Sequence, residues 1–154
     1  MTTANQASVV ATAALFIGLW SVQLSAATLI TDEEALRPAA ALSESAMLRG
    51  ITRAPTIEFE APSLAADHKP FDFRIKLQAH GGAAIDPTKV RVTYLKMPSV
   101  DLTDRLRPFI TASGINMPEA ECPAGKHPLL IDVEDNDGRV NHAQVTLTVE
   151  QKAP

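Results

Sequence analysis

The densest set of hard oxygen donors in this chain of 154 residues is Asp132, Glu134, Asp135, Asn136 and Asp137. Calcium takes about six to eight such ligands, so a cation loop is one reading. The other is conformational, because Asp, Asn and Gly are the residues a tight turn selects, and the run ends in Gly138. The spacing departs from the Asp-x-[Asp/Asn]-x-[Asp/Asn]-Gly loop with a later Glu. Asp132 and Glu134 would also project from one strand face, away from Asp135. The turn reading is preferred.

Softer ligands are scattered. His68, His80, His127 and His142, with Met97, Met117 or Cys122, offer the imidazole and sulfur that suit copper, yet no spacing gathers them. His80 and His127 fall where strands begin or end, positions at which an exposed histidine is ordinary. Cys122 is the only cysteine, which excludes an internal disulfide framework and a zinc site built on several thiolates. It is expected to pack as a small apolar side chain.

Nothing in the chain resembles a positioned nucleophile. There is no Gly-x-Ser-x-Gly elbow, and Ser113-Gly114 reads as a turn. Asp101 and Asp104 sit three apart on a short helical stretch, the first as a cap and the second as a solvated charge. Gly81-Gly82 lacks the Lys and helix of a phosphate-cradling loop. No catalytic residue, no cofactor and no metal ligand is therefore expected.

The elements that would position these residues follow from composition and periodicity. Lys and Arg number 14 against 18 Asp and Glu, a net charge of −4, which disfavours a nucleic-acid surface because phosphate binding needs positive charge. An apolar content of 45% suits one globular core. No charged side chain occurs from Met1 to Thr31, and residues 8–24 are almost wholly apolar. Ser25-Ala26-Ala27 supplies small residues for a secretory cleavage that would start the mature chain at Thr28. Alternatively the uncharged run, continued through Ile30, is a retained membrane anchor, or else an internal buried helix. The first two readings export the remainder to the periplasm or beyond, and membrane contact would come only through residues 8–30 if uncleaved.

The proposed division is a leader or anchor over 1–27, a linker over 28–55, a sandwich domain over 56–150 and a tail over 151–154. Within the linker, residues 39–48 have a short helical pattern. From Thr56 the apolar period becomes two, the pattern of strands with one buried face. Ile57 and Phe59 alternate with Glu58 and Glu60; Phe71, Phe73, Ile75 and Leu77 alternate with Asp72, Arg74, Lys76 and Gln78. The same pattern recurs at Val90, Val92 and Tyr94, at Leu129, Ile131 and Val133, and at Val145, Leu147 and Val149. Residues 99–111 break it, with apolar spacing that predicts one short helical crossover limited by Pro108. One more edge strand is expected over 115–122, since Pro118 is tolerable only at an edge or bulge. The expected fold is all-β, a two-sheet sandwich.

Over Pro123 to Val149 the chain resembles the closing hairpin of bacterial immunoglobulin-like modules. In these a Pro-x-Gly-x-His segment leads a strand ending in Asp-x-x-Gly-Arg, and a strand rich in Val and Thr follows. The resemblance implies an immunoglobulin-like sandwich without implying any one activity. The absence of a Cys pair, and a Trp confined to position 20, exclude an antibody-type domain as near relative.

The functional expectation is a non-enzymatic exported binding or interaction module of the cell envelope, whose partner is another envelope protein. The alternatives are a membrane-anchored accessory subunit and a calcium- or copper-binding periplasmic protein. The expected contact surface is the segment least explained by sandwich packing, with Leu102, Leu106, Phe109, Ile110 and Met117 as its residues.

Overall fold

The computed structural model describes residues 26–40, 53–62 and 66–151. The apolar stretch over 8–24, the helical pattern beyond Ala40 and residues 152–154 lie outside them. Among the described residues no helix is long and apolar enough to cross a membrane.

The chain is all-β, a two-sheet sandwich. In order come β1 (Ala27–Thr28), α1 (Asp32–Ala35), β2 (Thr56–Glu60), β3 (Phe71–Gln78), β4 (Arg91–Tyr94) and β5 (Val100–Asp101). They are followed by α2 (Thr103–Leu106), β6 (Ile110–Thr111), β7 (Gly114–Glu121), β8 (Gly125–Glu134) and β9 (Val140–Val149). One sheet runs β1-β7-β3-β2 with β6 also on β7; the other runs β5-β4-β8-β9.

Strict alternation builds the core. Along β3, Phe71, Phe73, Ile75 and Leu77 are buried and the intervening residues exposed. Val92, Tyr94, Leu129, Ile131, Val133, Leu147 and Val149 face them from the other sheet. Each such side chain taken from water contributes roughly 1.5–3 kcal/mol before chain entropy is subtracted.

β7 corrects the expected edge strand, for it lies between β3 and the short strands β1 and β6. Pro118 fits there because the ladder is broken at that point. Phe73 pairs with Met117 and Phe71 with Ala120, so β7 holds one extra residue. Glu119 takes φ +53° in this bulge. On the other flank β6 reaches only Ile115 and β1 only Ala120 and Glu121, so Pro118 faces neither of them.

The described part of the expected linker is bound to the sandwich. β1 pairs with β7 in parallel, and Leu29 and Ile30 are fully buried in the core. A capping box at Thr31 and Glu34 starts α1, and Lys96 Nζ closes it by donating to the Ala35 and Arg37 carbonyls at 2.8 and 2.9 Å. Ala39 then bridges Lys96. Residues 27–40 thus form a strap from one sheet to the connection after β4.

The helical crossover is α2 and the turn Arg107–Phe109. The N-cap of α2 is Leu102, not the expected Asp101, which lies one residue earlier and whose Oδ1 accepts the Thr103 N–H at 2.8 Å.

Candidate functional site

Leu102, Leu106 and Met117 are core residues, each at most 1% exposed. This corrects their expected place on a contact surface. The helical spacing of the first two turns them into the core, where α2 packs on β4, and Met117 points inward from β7. Phe109 and Ile110 are half-buried against the same core. The five therefore do not assemble into an exposed patch.

The acidic loop is a turn. Asp135 is 2% exposed, and its Oδ1 accepts the N–H groups of Asp137 and Arg139 at 3.0 and 2.9 Å. Arg139 Nε lies 2.9 Å from Asp135 Oδ2, an ion-pair contact outside hydrogen-bond alignment. Arg139 Nη2 donates to Asp137 and to the His80 carbonyl. Asn136 exchanges two hydrogen bonds with Ala84. The Asp-x-x-Gly-Arg sequence is thus a clamp between two loops, with Gly138 at φ +76°.

The histidines lie apart. His127, expected exposed, is 2% exposed. Its Nε2 donates to the Pro123 carbonyl at 2.8 Å, so Nδ1 is the acceptor for the Tyr94 hydroxyl, also at 2.8 Å. Burial lowers its pKa. This is the physical content of Pro-x-Gly-x-His: the ring folds back on its own approach loop. Cys122 is buried with its thiol pushed up to about 12 by desolvation. Among the described residues no group of three His, Cys, Asp or Glu is placed to hold a metal ion.

The open concavity lies on the outer face of the β2-β3-β7 sheet, about 680 Å³ in volume. The outward residues of β2 and β3 form its floor. Antiparallel register sets Glu58 opposite Lys76 and Glu60 opposite Arg74, so unlike charges face each other. Lys76 pairs with Glu60, which lowers the Glu60 pKa and raises that of Lys76. Arg74 is shared, donating Nη2 to Asp72 at 2.7 Å and Nε to Asn116 Oδ1 at 3.3 Å.

One rim is the β6-β7 hairpin, where the Thr111 and Ser113 hydroxyls are 3.0 Å apart. Gly114 makes that rim possible. Its φ is +147°, and a Cβ there would stand 2.1 Å from the Ile75 carbonyl oxygen. At the β2 end the Thr56 hydroxyl meets His80 Nε2 at 2.7 Å. No described group hydrogen-bonds the other ring nitrogen, so the pair lacks the orienting partner of a triad.

The groove offers hydroxyls, amides and both signs of charge on rigid strands, and no aromatic side chain lines it. It can hydrogen-bond and ion-pair an extended polar ligand. Sequence reading passed over these residues because each looks like an ordinary solvated strand position. The signal lay in the pairing of Glu58-x-Glu60 with Arg74-x-Lys76, which needs the register to be seen.

Comparison of the chain with protein-family models, curated proteins and solved structures gave no match.

Proposed function

We propose that the chain is a non-enzymatic, exported binding module of the bacterial cell envelope on an immunoglobulin-like sandwich. Its partner, another envelope protein, sits in the groove over β2, β3 and β7. The observation that carries this reading is the preformed polar groove, with Arg74 and Lys76 held on one rigid strand by neighbouring carboxylates and Asn116. The apolar stretch over 8–24 supports export, and the Pro123–Val149 hairpin supports the family type.

The test is affinity capture with a C-terminally tagged full chain from soluble and membrane fractions of its native cells. A stoichiometric envelope protein should accompany the wild type and be lost from Arg74→Glu/Lys76→Glu. Capture that survives the double reversal would remove the groove from the reading.

A second reading, a membrane-anchored accessory subunit, draws on Leu29 and Ile30. Both are core residues, so the domain begins almost directly after the apolar stretch. Cleavage after Ala27 would still leave them in the mature chain. Mass spectrometry of the purified N-terminus separates the two: a start at Thr28 removes the anchor.

A further inference from the structure

Building on the export reading of residues 8–24, we propose that the strap locks the peptide bond between Ala27 and Thr28. A secretory peptidase then cuts there only before the sandwich closes, and a chain that closes uncut keeps the apolar stretch as its membrane anchor. Ser25-Ala26-Ala27 supplies the small residues such a peptidase selects. Cleavage adds one water across the bond, leaving a carboxylate on Ala27 and an amino group on Thr28.

A cleft that binds an extended peptide does so through the peptide's own backbone N–H and C=O groups. In the closed chain these are already committed. Ala27 and Thr28 form β1, in parallel register with Ala120 and Glu121 of β7. The next N–H, of Leu29, donates to the Glu121 carbonyl at 2.9 Å, and the Leu29 carbonyl accepts from Arg105 Nη1 at 3.0 Å. Thr28 is exposed, yet handing its backbone to a cleft means drawing Leu29 and Ile30, at 0% and 1% exposure, out of the core. Beyond them the strap is fastened twice more, by the Glu34–Arg105 ion pair and by Lys96 Nζ on the Ala35 and Arg37 carbonyls. Cleavage of the closed chain therefore waits on opening of the strap, and its rate follows the population of the open form. A chain not yet folded has none of these contacts and presents the bond freely. The order of two events, cutting and closing, decides between a released and an anchored product.

The test exposes two substrates to a purified bacterial signal peptidase in detergent micelles: the full chain, made by cell-free synthesis so that residues 1–27 are retained, and a synthetic peptide of residues 8–36 as the unfolded reference. The peptide should be cut between Ala27 and Thr28, and the folded chain at least about a hundredfold more slowly. Glu34→Gln loosens the strap away from the scissile bond. It should be cut at least about tenfold faster than the wild type while Cys122 still resists a thiol reagent, the sign of a closed core. Should Cys122 react, Lys96→Met frees the other end of α1 and is read in the same way. Folded wild type cut at the peptide's rate overturns the proposal, and so do loosened variants cut no faster than the wild type. A peptide left uncut also overturns it, and removes the cleaved form from the export reading while leaving the anchor.

Discussion

Glu34 and Arg105, 71 residues apart, meet in a two-pronged ion pair, with Nη2 to Oε1 at 2.6 Å and Nη1 to Oε2 at 2.8 Å. Arg105 Nη1 also donates to the Leu29 carbonyl at 3.0 Å. One guanidinium therefore holds both the strand and the helix of the N-terminal strap against α2. This is why residues 99–111 seemed unexplained by sandwich packing: they are the seat of the strap.

Glu34→Gln should destabilise the fold by about 2 kcal/mol in urea unfolding. That is less than for a wholly buried pair, because the Arg105 side chain is 36% exposed. The hydrogen bond from Arg105 holds the Glu34 carboxyl down to about 2, from an ordinary value of 4.5. A folded pKa below the unfolded one gives stability that is present above 4.5 and lost as pH falls towards 2. The variant's stability should change less across that window. An identical acid limb in the two proteins would show that the pair contributes nothing.

Tyr94→Phe should cost about 1–3 kcal/mol, since it leaves the buried Nδ1 of His127 without its donor. Burial lowers the His127 pKa from 6.5, so the unfolded chain takes up a proton that the folded one refuses, and stability falls as pH drops below 6.5. At the other extreme Tyr94 and Cys122 are both pushed up to about 12, so stability is lost as pH rises from their ordinary values of 10.0 and 9.0. Cys122 should therefore resist a thiol reagent at neutral pH and react only as the chain unfolds. Rapid labelling of the native protein would contradict its burial.

Asp135→Ala should destabilise by about 3 kcal/mol, because it frees two backbone N–H groups and leaves the Arg139 side chain, 17% exposed, without its buried carboxylate and with only the exposed Asp137 as partner. Asp137→Ala should matter far less, with that side chain 57% exposed. Neither calcium nor a chelator should move the melting temperature, as the Asp135 carboxylate is already engaged within the turn. A calcium-dependent rise would restore the cation-loop reading.

What the sequence disclosed and what it withheld divide along physical lines. β3, β8 and β9 were legible because a period of two survives any tertiary context, and the turn after Glu134 because Asp-Asn-Asp-Gly suits few other conformations. The strap was not, since Leu29 and Ile30 continue the apolar run of residues 8–24, and apolarity alone does not say which oil a residue enters. Leu102 and Leu106 showed the right helical spacing, but spacing does not tell a face turned to the core from one turned to a partner. The groove needed strand register, which links Glu58 to Lys76 and is absent from either strand read singly.

Gly114→Ala should destabilise by at least about 2 kcal/mol, and the added Cβ, 2.1 Å from the Ile75 carbonyl oxygen, gives the backbone no room to yield locally. Gly138→Ala provides the contrast. It has the strain of φ +76° but nothing within 4 Å of the new Cβ, so its cost should be smaller. Equal costs would mean that backbone conformation, and not the close approach of β7 to β3, is what position 114 demands.

The groove makes the sharpest functional demand. Lys76→Glu sets a third acidic side chain beside Glu58 and Glu60, reversing the local charge without touching the core, for Lys76 points to solvent from the outer face of β3. The melting transition should stay near that of the wild type, since exposed ion pairs add little to folding. On the proposed reading of the groove, capture of an envelope partner should fall at least about tenfold, the scale of one lost charge-assisted contact. The combined Glu60→Lys/Lys76→Glu chain reinstates an ion pair with its polarity inverted. If partner binding depends only on an intact pair, the double variant recovers it; if the partner's own carboxylate reads Lys76, binding stays lost. Indifference of capture to both variants would place the contact elsewhere on the sandwich.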